Sequence, residues 1–374
     1  MPSWLKEGRG SLCGANVSLL LREMGITKPL LVAGERTKNV FFARTGMRLP
    51  VFDAFHPNPD LQDCVAGAAL YQEKDCDGLI SVGCGSAMDT AKGIKALLMT
   101  DIAHVRANQL PPEGEVPHLA IPGTAGTGAE TTAVAVLYED GQKLSVDHPA
   151  LLPDGVLLDG SLLDTLPEYH RKSCAMDALA QGIESWWAKK ATPGSRIHAE
   201  RAIRGVLDNL TAYLQGDRKA QDEMLHAAYE SGVAILTTRT TAAHAMSYQI
   251  TKKLGAAHGH ACMLTLPHLW AHLEAQAEYQ PMLTELAHIL GGEKPMDGAV
   301  LLKGLLAVLE LDKIPMPDDA TLDMLAASVN PERLGNHPEA LTTAQLRAIY
   351  VQAFTPMTDT ERAEAIAAWE QYGK

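Results

Sequence analysis

Short apolar runs alternate with amphipathic stretches over the first part of the chain, up to about residue 165. The runs cover residues 29–33, 51–52, 78–82, 118–122 and 155–159. Apolar runs of this length, separated by helical stretches, are typical of a parallel sheet with crossover helices. The pattern therefore predicts an α/β domain.

After about residue 167 the pattern changes to long segments rich in Ala, Leu, Glu and Met, separated by Pro, Gly, Asn or Asp. Such a pattern predicts helices alone. The predicted helices cover 169–190, 195–215, 218–237, 242–253, 260–275, 279–291, 296–310, 318–328, 342–354 and 358–371. We predict two domains, an α/β domain over residues 1–166 and an all-helical domain over residues 167–374, as expected at about 100–200 residues per domain.

Composition and charge limit the kinds of partner and location that we expect for this protein. The chain is 46% hydrophobic with a formal net charge of −13 and has no dense run of Lys or Arg, so nucleic acid is not an expected partner. It has no apolar stretch long enough to span a membrane, and residues 1–13 lack the apolar core of a signal peptide. The six cysteines show no C-x-x-C spacing, so most are expected to be reduced core residues. We predict a cytoplasmic protein.

Two glycine-rich segments follow neighbouring predicted strands. The first glycine loop is residues 83–92, GCGSAMDTAK, and the second is residues 123–130, GTAGTGAE. Glycines let the backbone approach a ligand, and the free N–H groups at a helix start suit a pyrophosphate. Met88 departs from the Rossmann G-x-G-x-x-G motif, and a strand–glycine–helix turn also occurs without a ligand. Two such loops together favour nucleotide binding.

A second set of residues has the spacing of metal ligands. Asp177 and Gln181 lie four residues apart on a predicted helix, His244 and Tyr248 repeat that spacing, and His258 follows His244 by fourteen residues. Side chains four apart share one helix face. One carboxylate and two imidazoles could bind Zn²⁺ or Fe²⁺. The alternative is that these histidines are hydrogen-bonded core or surface residues, since the chain has 14 of them.

These segments, with DTLP at 164–167, MDAL at 176–179 and HAM at 244–246, resemble the iron-containing (group III) alcohol dehydrogenase family in order and spacing. The resemblance implies a dehydroquinate synthase-like fold, with a dinucleotide-binding α/β domain and an all-helical metal domain. It implies hydride transfer from C4 of the reduced nicotinamide to an aldehyde carbon, with Fe²⁺ or Zn²⁺ as Lewis acid. A homodimer is also expected.

The resemblance places the metal ligands at Asp177, Gln181, His244 and His258. Gln181 stands where the family has His, and an amide oxygen is a weaker and harder donor than imidazole, so we expect a weak or water-mediated ligand there. Tyr248 stands where the family has a His beside the nicotinamide. The predicted catalytic residues are Tyr248 and His258, although a phenol with a pKa of about 10 is a poor acid near neutrality.

The strings around these residues are similar to the phosphonoacetaldehyde reductase branch of the family, whose substrate is an anionic aldehyde. Arg239, Lys252, Lys253 and His260 flank the metal-binding helix. We predict Arg239 and His260 as substrate contacts, and prefer Arg239 because a guanidinium can bind two phosphonate oxygens at once. The alternatives are a general alcohol or lactaldehyde-type dehydrogenase, a dehydroquinate-synthase-like lyase or cyclase, and a non-catalytic nucleotide-binding protein.

The residues after the run 29–33 predict NADPH rather than NADH. Gly34 stands where NAD-specific relatives place an acidic residue, and Arg36 to Lys38 offer donors to a 2′-phosphate, whereas Glu35 would favour NADH if it faced the ribose. The predicted cofactor contacts are Gly34, Thr37, Lys38, Gly83, Gly85, Ser86, Asp89, Thr124, Thr127 and Lys143.

Overall fold

A six-stranded parallel sheet forms the centre of the first part of the chain. The structure is a computed structural model that describes residues 6–112 and 116–372. The strand order is β1-β8-β5-β4-β2-β3. The strands are β1 (Lys6–Arg9), β2 (Pro29–Ala33), β3 (Val51–Phe52), β4 (Gly78–Gly83), β5 (His118–Pro122) and β8 (Gly155–Leu158). All five predicted runs are strands, and β1, whose four residues carry no apolar run, was not predicted.

Helices cover both faces of this sheet, which is why its central strands are continuous apolar runs. Leu30 and Leu79 point to one face, and their neighbours Leu31 and Ile80 point to the other. The helices of this part are α1 (Gly14–Glu23), α2 (Glu35–Thr45), α3 (Leu61–Glu73), α4 (Gly85–Met99) and α5 (Ile102–Arg106). Helix α4 begins directly after β4, so the first glycine loop lies at a helix start.

A separate antiparallel hairpin of β6 (Val134–Glu139) and β7 (Gln142–Asp147) was not predicted. Its turn consists of Asp140 and Gly141, both with positive φ. An Asp-Gly pair between two β-rich segments is a strong hairpin signal. That pair could therefore have revealed the hairpin from the sequence.

The second part of the chain is helical. Contacts divide the chain between Thr165 and Leu166, next to the boundary proposed from the sequence. The helices are α6 (Glu168–Trp187), α7 (Pro193–Leu214), α8 (Arg218–Thr238), α9 (Ala242–Gln249), α10 (His258–Glu274), α11 (Gln280–Leu290), α12 (Asp297–Val308), α13 (Asp319–Ala327), α14 (Pro331–Leu334), α15 (Thr343–Phe354) and α16 (Asp359–Tyr372). The predicted α/β plus all-helical fold is confirmed.

Helix α6 is the buried centre of this unit and packs against α7, α8 and α10. From Ala175 to Trp187 every side chain is buried, including Asp177, Gln181 and Glu184. Buried polar groups require hydrogen-bond partners or a bound ion. The polar face of α6 is therefore the place where a site is expected.

Capping residues set several helix boundaries. Thr192 is the N-cap of α7 and forms a capping box with Ser195, and Pro193 lies in the first turn. Thr342 is the N-cap of α15 and forms a capping box with Gln345.

A π-helical turn, Ile250–Leu254, follows α9, so the predicted helix 242–253 does not run as one regular α-helix.

No helix among the residues described is long and apolar enough to cross a membrane. Residues 1–5, at the start of the segment in which we expect no signal peptide, lie outside the described residues.

Candidate functional site

Four side chains with metal-ligating atoms meet between three helices of the helical unit. Asp177 comes from α6, His244 from α9, and His258 and Cys262 from α10, and their ligand atoms all lie within 4.8 Å of one another. Oδ1 of Asp177 is 3.1 Å from Nε2 of His244 and 3.9 Å from Nε2 of His258. We call these four residues the ligand cluster. Carboxylate, imidazole and thiol groups at this spacing fit a divalent metal.

Glu184 orients His244 within the ligand cluster. One of its carboxylate oxygens pairs with Nδ1 of His244, and the other accepts hydrogen bonds from the Thr241 hydroxyl at 2.6 Å and the Ala243 N–H at 2.8 Å. Burial by itself raises the pKa of Glu184, but the charge of His244 and these hydrogen bonds hold it below its usual value. Because Nδ1 is engaged, Nε2 faces Asp177, the arrangement typical of metal-ligating histidines.

The amide of Gln181 turns its nitrogen, not its oxygen, toward Asp177. Its Nε2 lies 3.4 Å from Oδ1 of Asp177, while its Oε1 accepts a 2.7 Å hydrogen bond from the Ser231 hydroxyl. An amide binds a metal through its oxygen. In this structure Gln181 is a hydrogen-bond donor to Asp177, and its role as a weak or water-mediated fourth ligand stays a prediction.

Cys262 is the member of the ligand cluster that sequence reasoning missed. Its Sγ is fully buried and lies 3.9 Å from Nε2 of His258. Burial raises the pKa of a thiol, but the neighbouring His244 and His258 outweigh it and lower the pKa of Cys262 to about 7. Cys262 follows His258 by four residues on α10. That spacing, which drew attention to Asp177 and Gln181, could have identified it.

Gly259 allows α10 to approach α6 at the ligand cluster. A Cβ atom at this position would lie 1.9 Å from the carbonyl oxygen of Ser173 and 2.7 Å from the backbone nitrogen of Asp177. Real side chains never come so close to backbone atoms. The glycine after His258 is therefore required by packing between the two helices that carry the ligands.

Tyr248 lies against His258, and their rings stack in parallel with centroids 6.0 Å apart. Burial raises the pKa of Tyr248, and the positive charge of Arg333 offsets part of that rise. A phenol with a raised pKa stays protonated near neutrality and is an even poorer acid than the sequence suggested. The stacking fits a residue that orients His258, and the catalytic role of Tyr248 stays a prediction.

Arg333, on the short helix α14, was not identified from the sequence. Its Nη1 donates a 2.7 Å hydrogen bond to the Thr240 hydroxyl, and Asn336 ties the same stretch to the carbonyls of Thr238 and Thr240. No local pattern points to Arg333, because α14 has only four residues and follows Thr240 by about ninety positions. Arg333 is half-buried, and its positive charge lowers the pKa of the Tyr248 phenol against the effect of burial.

The two predicted substrate contacts have protein partners in the structure. His260 is buried, with Nδ1 3.1 Å from the Tyr169 hydroxyl and Nε2 2.8 Å from the carbonyl oxygen of Leu311. Both ring nitrogens are engaged, so we leave His260 out of the substrate contacts. Arg239 has a positive φ of 62°, and its Nη1 lies 3.4 Å from the carbonyl oxygen of Leu236 on its own helix.

In the α/β unit the two glycine loops lie side by side. Their strands β4 and β5 are paired, and the Gly123 N–H donates a 2.7 Å hydrogen bond to the Gly83 carbonyl. A Cβ atom on Gly83, whose φ is +135°, would lie 3.5 Å from the Thr37 hydroxyl, and one on Gly85 would lie 3.6 Å from the Thr127 methyl. The structure therefore brings Thr37, Gly83, Gly85 and Thr127 together at the carboxyl ends of neighbouring strands.

Lys92 holds the second glycine loop in place. It is fully buried, and its Nζ donates to the carbonyls of Ala129 and Val134 at 2.7 and 2.9 Å. Burial raises the pKa of the nearby Asp89 to about 6, against the opposing charges of Lys92 and Lys143. The structure thus places Lys143, on the hairpin, near Asp89.

The remaining predicted cofactor contacts lie at loop ends and helix starts. Gly34 is the N-cap of α2, Ser86 lies in the first turn of α4 with its hydroxyl 3.3 Å from the Asn58 nitrogen, and Thr124 is half-buried in the second glycine loop. Lys38 forms an ion pair with Asp53, which follows β3. Sequence reasoning missed this pair because Asp53 lies fifteen residues beyond Lys38 on a different element.

Comparison with known proteins identifies the family. The family description "Iron-containing alcohol dehydrogenase" matches residues 3–160, and "Fe-containing alcohol dehydrogenase family, C-terminal" matches residues 172–354. The chain belongs to the iron-containing alcohol dehydrogenase family. As a family member it is an oxidoreductase that acts on alcohols or aldehydes with a nicotinamide cofactor and a divalent metal.

Individual relatives of this family member act on different substrates. The NAD-dependent methanol dehydrogenase of Bacillus methanolicus is 30% identical over 75% of this chain and 77% of that protein. The phosphonoacetaldehyde reductase of Streptomyces viridochromogenes is 35% identical over 57% of this chain and 58% of that protein. The sulfoacetaldehyde reductase from Bifidobacterium kashiwanohense, solved in complex with NAD⁺, has a TM-score of 0.86 at 25% identity and covers 95% of this chain and 97% of its own.

Proposed function

We propose that this enzyme reduces a small aldehyde that carries an anionic group, with phosphonoacetaldehyde, which would give 2-hydroxyethylphosphonate, as the first choice. The observation that carries the proposal is the position of Arg333, whose Nη1 donates a 2.7 Å hydrogen bond to the hydroxyl of Thr240, four residues before the metal-ligand candidate His244. Two of the relatives described above are named for aldehydes with a phosphonate or sulfonate group. A guanidinium suits such oxyanions because it donates two parallel hydrogen bonds.

The chemistry divides between bound groups and side chains. When bound, a divalent metal polarises the carbonyl as a Lewis acid, and the reduced nicotinamide supplies the hydride. Glu184 holds the His244 ring with Nε2 toward Asp177, and Tyr248 holds the His258 ring by stacking. Because Tyr248 stacks on His258 and burial makes its phenol a weaker acid by raising its pKa, we assign it the orientation of His258 and assign the proton of the product alcohol to solvent.

The activity is tested by a panel of charged and neutral aldehydes, with loss of reduced-cofactor absorbance as the measurement, with and without chelator. We expect the phosphonate aldehyde to be the best substrate and one cofactor to be oxidised for each aldehyde reduced. Better activity on neutral aldehydes would favour a general alcohol dehydrogenase. Turnover without net cofactor oxidation would favour a dehydroquinate-synthase-like lyase.

Replacing Arg333 by alanine is expected to raise KM for the anionic aldehyde by roughly 10–100-fold, the effect of losing a hydrogen bond to a charged group. The KM for a neutral aldehyde of similar size should change far less. Arg239→Ala is the matched comparison, because sequence reasoning preferred that residue and the structure turns it to Leu236. Steady-state kinetics on both aldehydes measure the difference.

Equal losses on both aldehydes in Arg333→Ala would show that Arg333 acts on the fold through Thr240 and not on the substrate. A selective loss in Arg239→Ala alone would return the role to Arg239. A melting curve for each variant separates these outcomes from unfolding.

We further propose that NADPH is preferred, although Lys38 is not freely available to a 2′-phosphate. Asp53 pairs with Lys38, and the charge of Glu35 also acts on it. Two carboxylates therefore compete with a phosphate for one ammonium group. Removing one of them should strengthen the preference for NADPH.

Asp53→Asn is accordingly expected to raise the ratio of kcat/KM for NADPH over NADH by several-fold, and Lys38→Ala to lower it. Both effects should shrink at high salt, because the ion pair is partly exposed. A wild-type preference for NADH would mean that Glu35 faces the ribose and would contradict the proposal. The cytoplasmic location and the homodimeric state remain predictions.

A further inference from the structure

The ligand cluster contains a thiol beside one carboxylate and two imidazoles, whereas the family resemblance leads one to expect a third imidazole on α6. Gln181 occupies the position of that histidine on α6, but its amide oxygen accepts a hydrogen bond from Ser231 and its nitrogen faces Asp177. A metal held by Asp177, His244 and His258 alone would lack a fourth protein donor among the residues described. Cys262 is the ligand-type side chain that completes the group.

The position of Cys262 differs from that of an ordinary buried cysteine. It lies one helical turn after His258 on α10, and its Sγ contacts the ring nitrogen that also approaches Asp177. By contrast, Cys64 in the α/β unit packs into an apolar core cluster with its Sγ 3.7 Å from the Thr90 carbonyl. The Cys262 thiol therefore faces metal-ligating atoms rather than a hydrocarbon core.

We propose that Cys262 binds the catalytic metal as a thiolate, so that the site is an Asp-His-His-Cys site selective for Zn²⁺. Zinc at a catalytic site can become five-coordinate, so the substrate carbonyl oxygen would be a fifth ligand. This inference rests on the metal centre of the proposed function and extends it to the identity of a ligand and of the metal. On metal binding the thiol gives up its proton to solvent, as a cysteine ligand must be deprotonated.

The spacing of the ligand atoms fits this coordination. Metal–ligand bonds of about 2.0–2.3 Å arranged as a tetrahedron separate neighbouring ligand atoms by roughly 3.3–3.6 Å. The distances from Oδ1 of Asp177 to His244 and His258 are 3.1 and 3.9 Å, and that from His258 to Sγ of Cys262 is 3.9 Å. These three distances lie within a few tenths of an ångström of that range, and all the ligand atoms lie within 4.8 Å of one another, so the side chains would have to draw together around a common ion.

The chemical type of the four donors also indicates which metal ion the site should prefer. Thiolate is a soft donor that favours Zn²⁺, while the hard cations Mg²⁺ and Mn²⁺ prefer oxygen ligands. One thiolate, two imidazoles and one carboxylate are the donors found in zinc sites. Metal-free protein should therefore take up Zn²⁺ in preference to Mn²⁺ or Mg²⁺. Because a site of one carboxylate and two imidazoles already has that order of affinity, Cys262 should widen the margin.

The test is a titration of the chelator-treated, metal-free full-length protein with Co²⁺, which reports its own ligands in its spectrum. A thiolate bound to Co²⁺ produces a sulfur-to-metal charge-transfer band in the near ultraviolet. We expect this band in the wild type and its loss on addition of Zn²⁺. We expect no band in Cys262→Ser, with Zn²⁺ affinity at least about 10–100-fold weaker, the loss typical even of an outer-shell partner.

Two matched variants serve as controls. Cys174→Ser removes another thiol from the helical unit, on α6 and outside the ligand cluster, and Gln181→Leu removes the amide oxygen. Both should keep the band, and Cys174→Ser should bind Zn²⁺ much as the wild type does, whereas Gln181→Leu also removes a hydrogen bond to Asp177 and is judged by the band alone. The double variant Gln181→His with Cys262→Ser should recover Zn²⁺ affinity without the band, since it restores a third imidazole.

A wild type without the band, a band that persists in Cys262→Ser, or unchanged Zn²⁺ affinity in Cys262→Ser would each overturn the inference. Circular dichroism and a melting curve show that each variant is folded, and Cys262→Ala provides a second variant. The readout is metal binding, so a protein that shows the band yet fails to reduce the anionic aldehyde refutes the proposed function and leaves this inference standing.

Discussion

Replacing His244 by alanine is expected to lower kcat/KM for aldehyde reduction by about a thousandfold or more. The metal contributes several kcal/mol of transition-state stabilisation as a Lewis acid, and each 1.4 kcal/mol is about a factor of ten in rate. His244 is the ligand whose two ring nitrogens are both fixed, by Asp177 on one side and Glu184 on the other. Its removal takes away one ligand of the cluster, together with the contact that links Glu184 to the metal centre.

The measurement is aldehyde reduction with and without chelator, together with metal content after dialysis. His170→Ala is the control, because His170 is exposed on α6, the helix that also carries Asp177. It should keep both the activity and its sensitivity to chelator. If His244→Ala and the wild type are equally active and equally insensitive to chelator, the hypothesis of a catalytic metal at this site is wrong.

Glu184→Gln is expected to weaken metal binding by about 10–100-fold although the residue belongs to no ligand set, because it loses the charge that orients and polarises His244. Glu184→Ala should in addition lower the free energy of unfolding by about 3–5 kcal/mol, as is typical when one partner of a buried ion pair is removed. That variant also removes the acceptor for the Ala243 and Thr241 donors at the start of α9. Metal titration and denaturant unfolding measure the two effects.

The variant Glu230→Gln distinguishes a loss of metal affinity from a loss of stability. Glu230 is another buried glutamate of the helical unit, paired with His198 and Arg201 and outside the ligand cluster. Its replacement should lower stability and leave metal affinity unchanged. Equal losses of metal affinity in both glutamine variants would show that Glu184 acts only through the stability of the fold.

Most of the sheet could be predicted from the sequence because its central strands are buried on both faces. The runs that became β2, β3 and β5 match their strands residue for residue. Every residue of β2 and β5 is buried, and burial on both faces favours an unbroken apolar run. Strand β1, by contrast, carries no apolar run. The hairpin strands β6 and β7 alternate or are largely exposed, so they lack that signal.

Part of the candidate site was likewise determined by the sequence alone. Local spacing indicated that Asp177 and Gln181 share one helix face, and it drew His244 and His258 into one hypothesis with Asp177. Three of those four residues lie in the ligand cluster. Helical periodicity reaches this far because it shows which side chains share a face of one helix.

Only the tertiary structure shows which residues of other helices contact those helix faces. Periodicity says nothing about which helix packs opposite, so the contact of Glu184 with His244, sixty residues away, could not be deduced from spacing. The same holds for Arg333, which reaches Thr240 across ninety-three residues, and for the Ser231 hydroxyl that engages the oxygen of Gln181. Cys262 had a local signal, but only the packing of α10 against α6 and α9 shows that its thiol faces the other ligands. Contacts between distant helices arise from side-chain shape and burial over the whole unit, and these decide the chemistry of the centre.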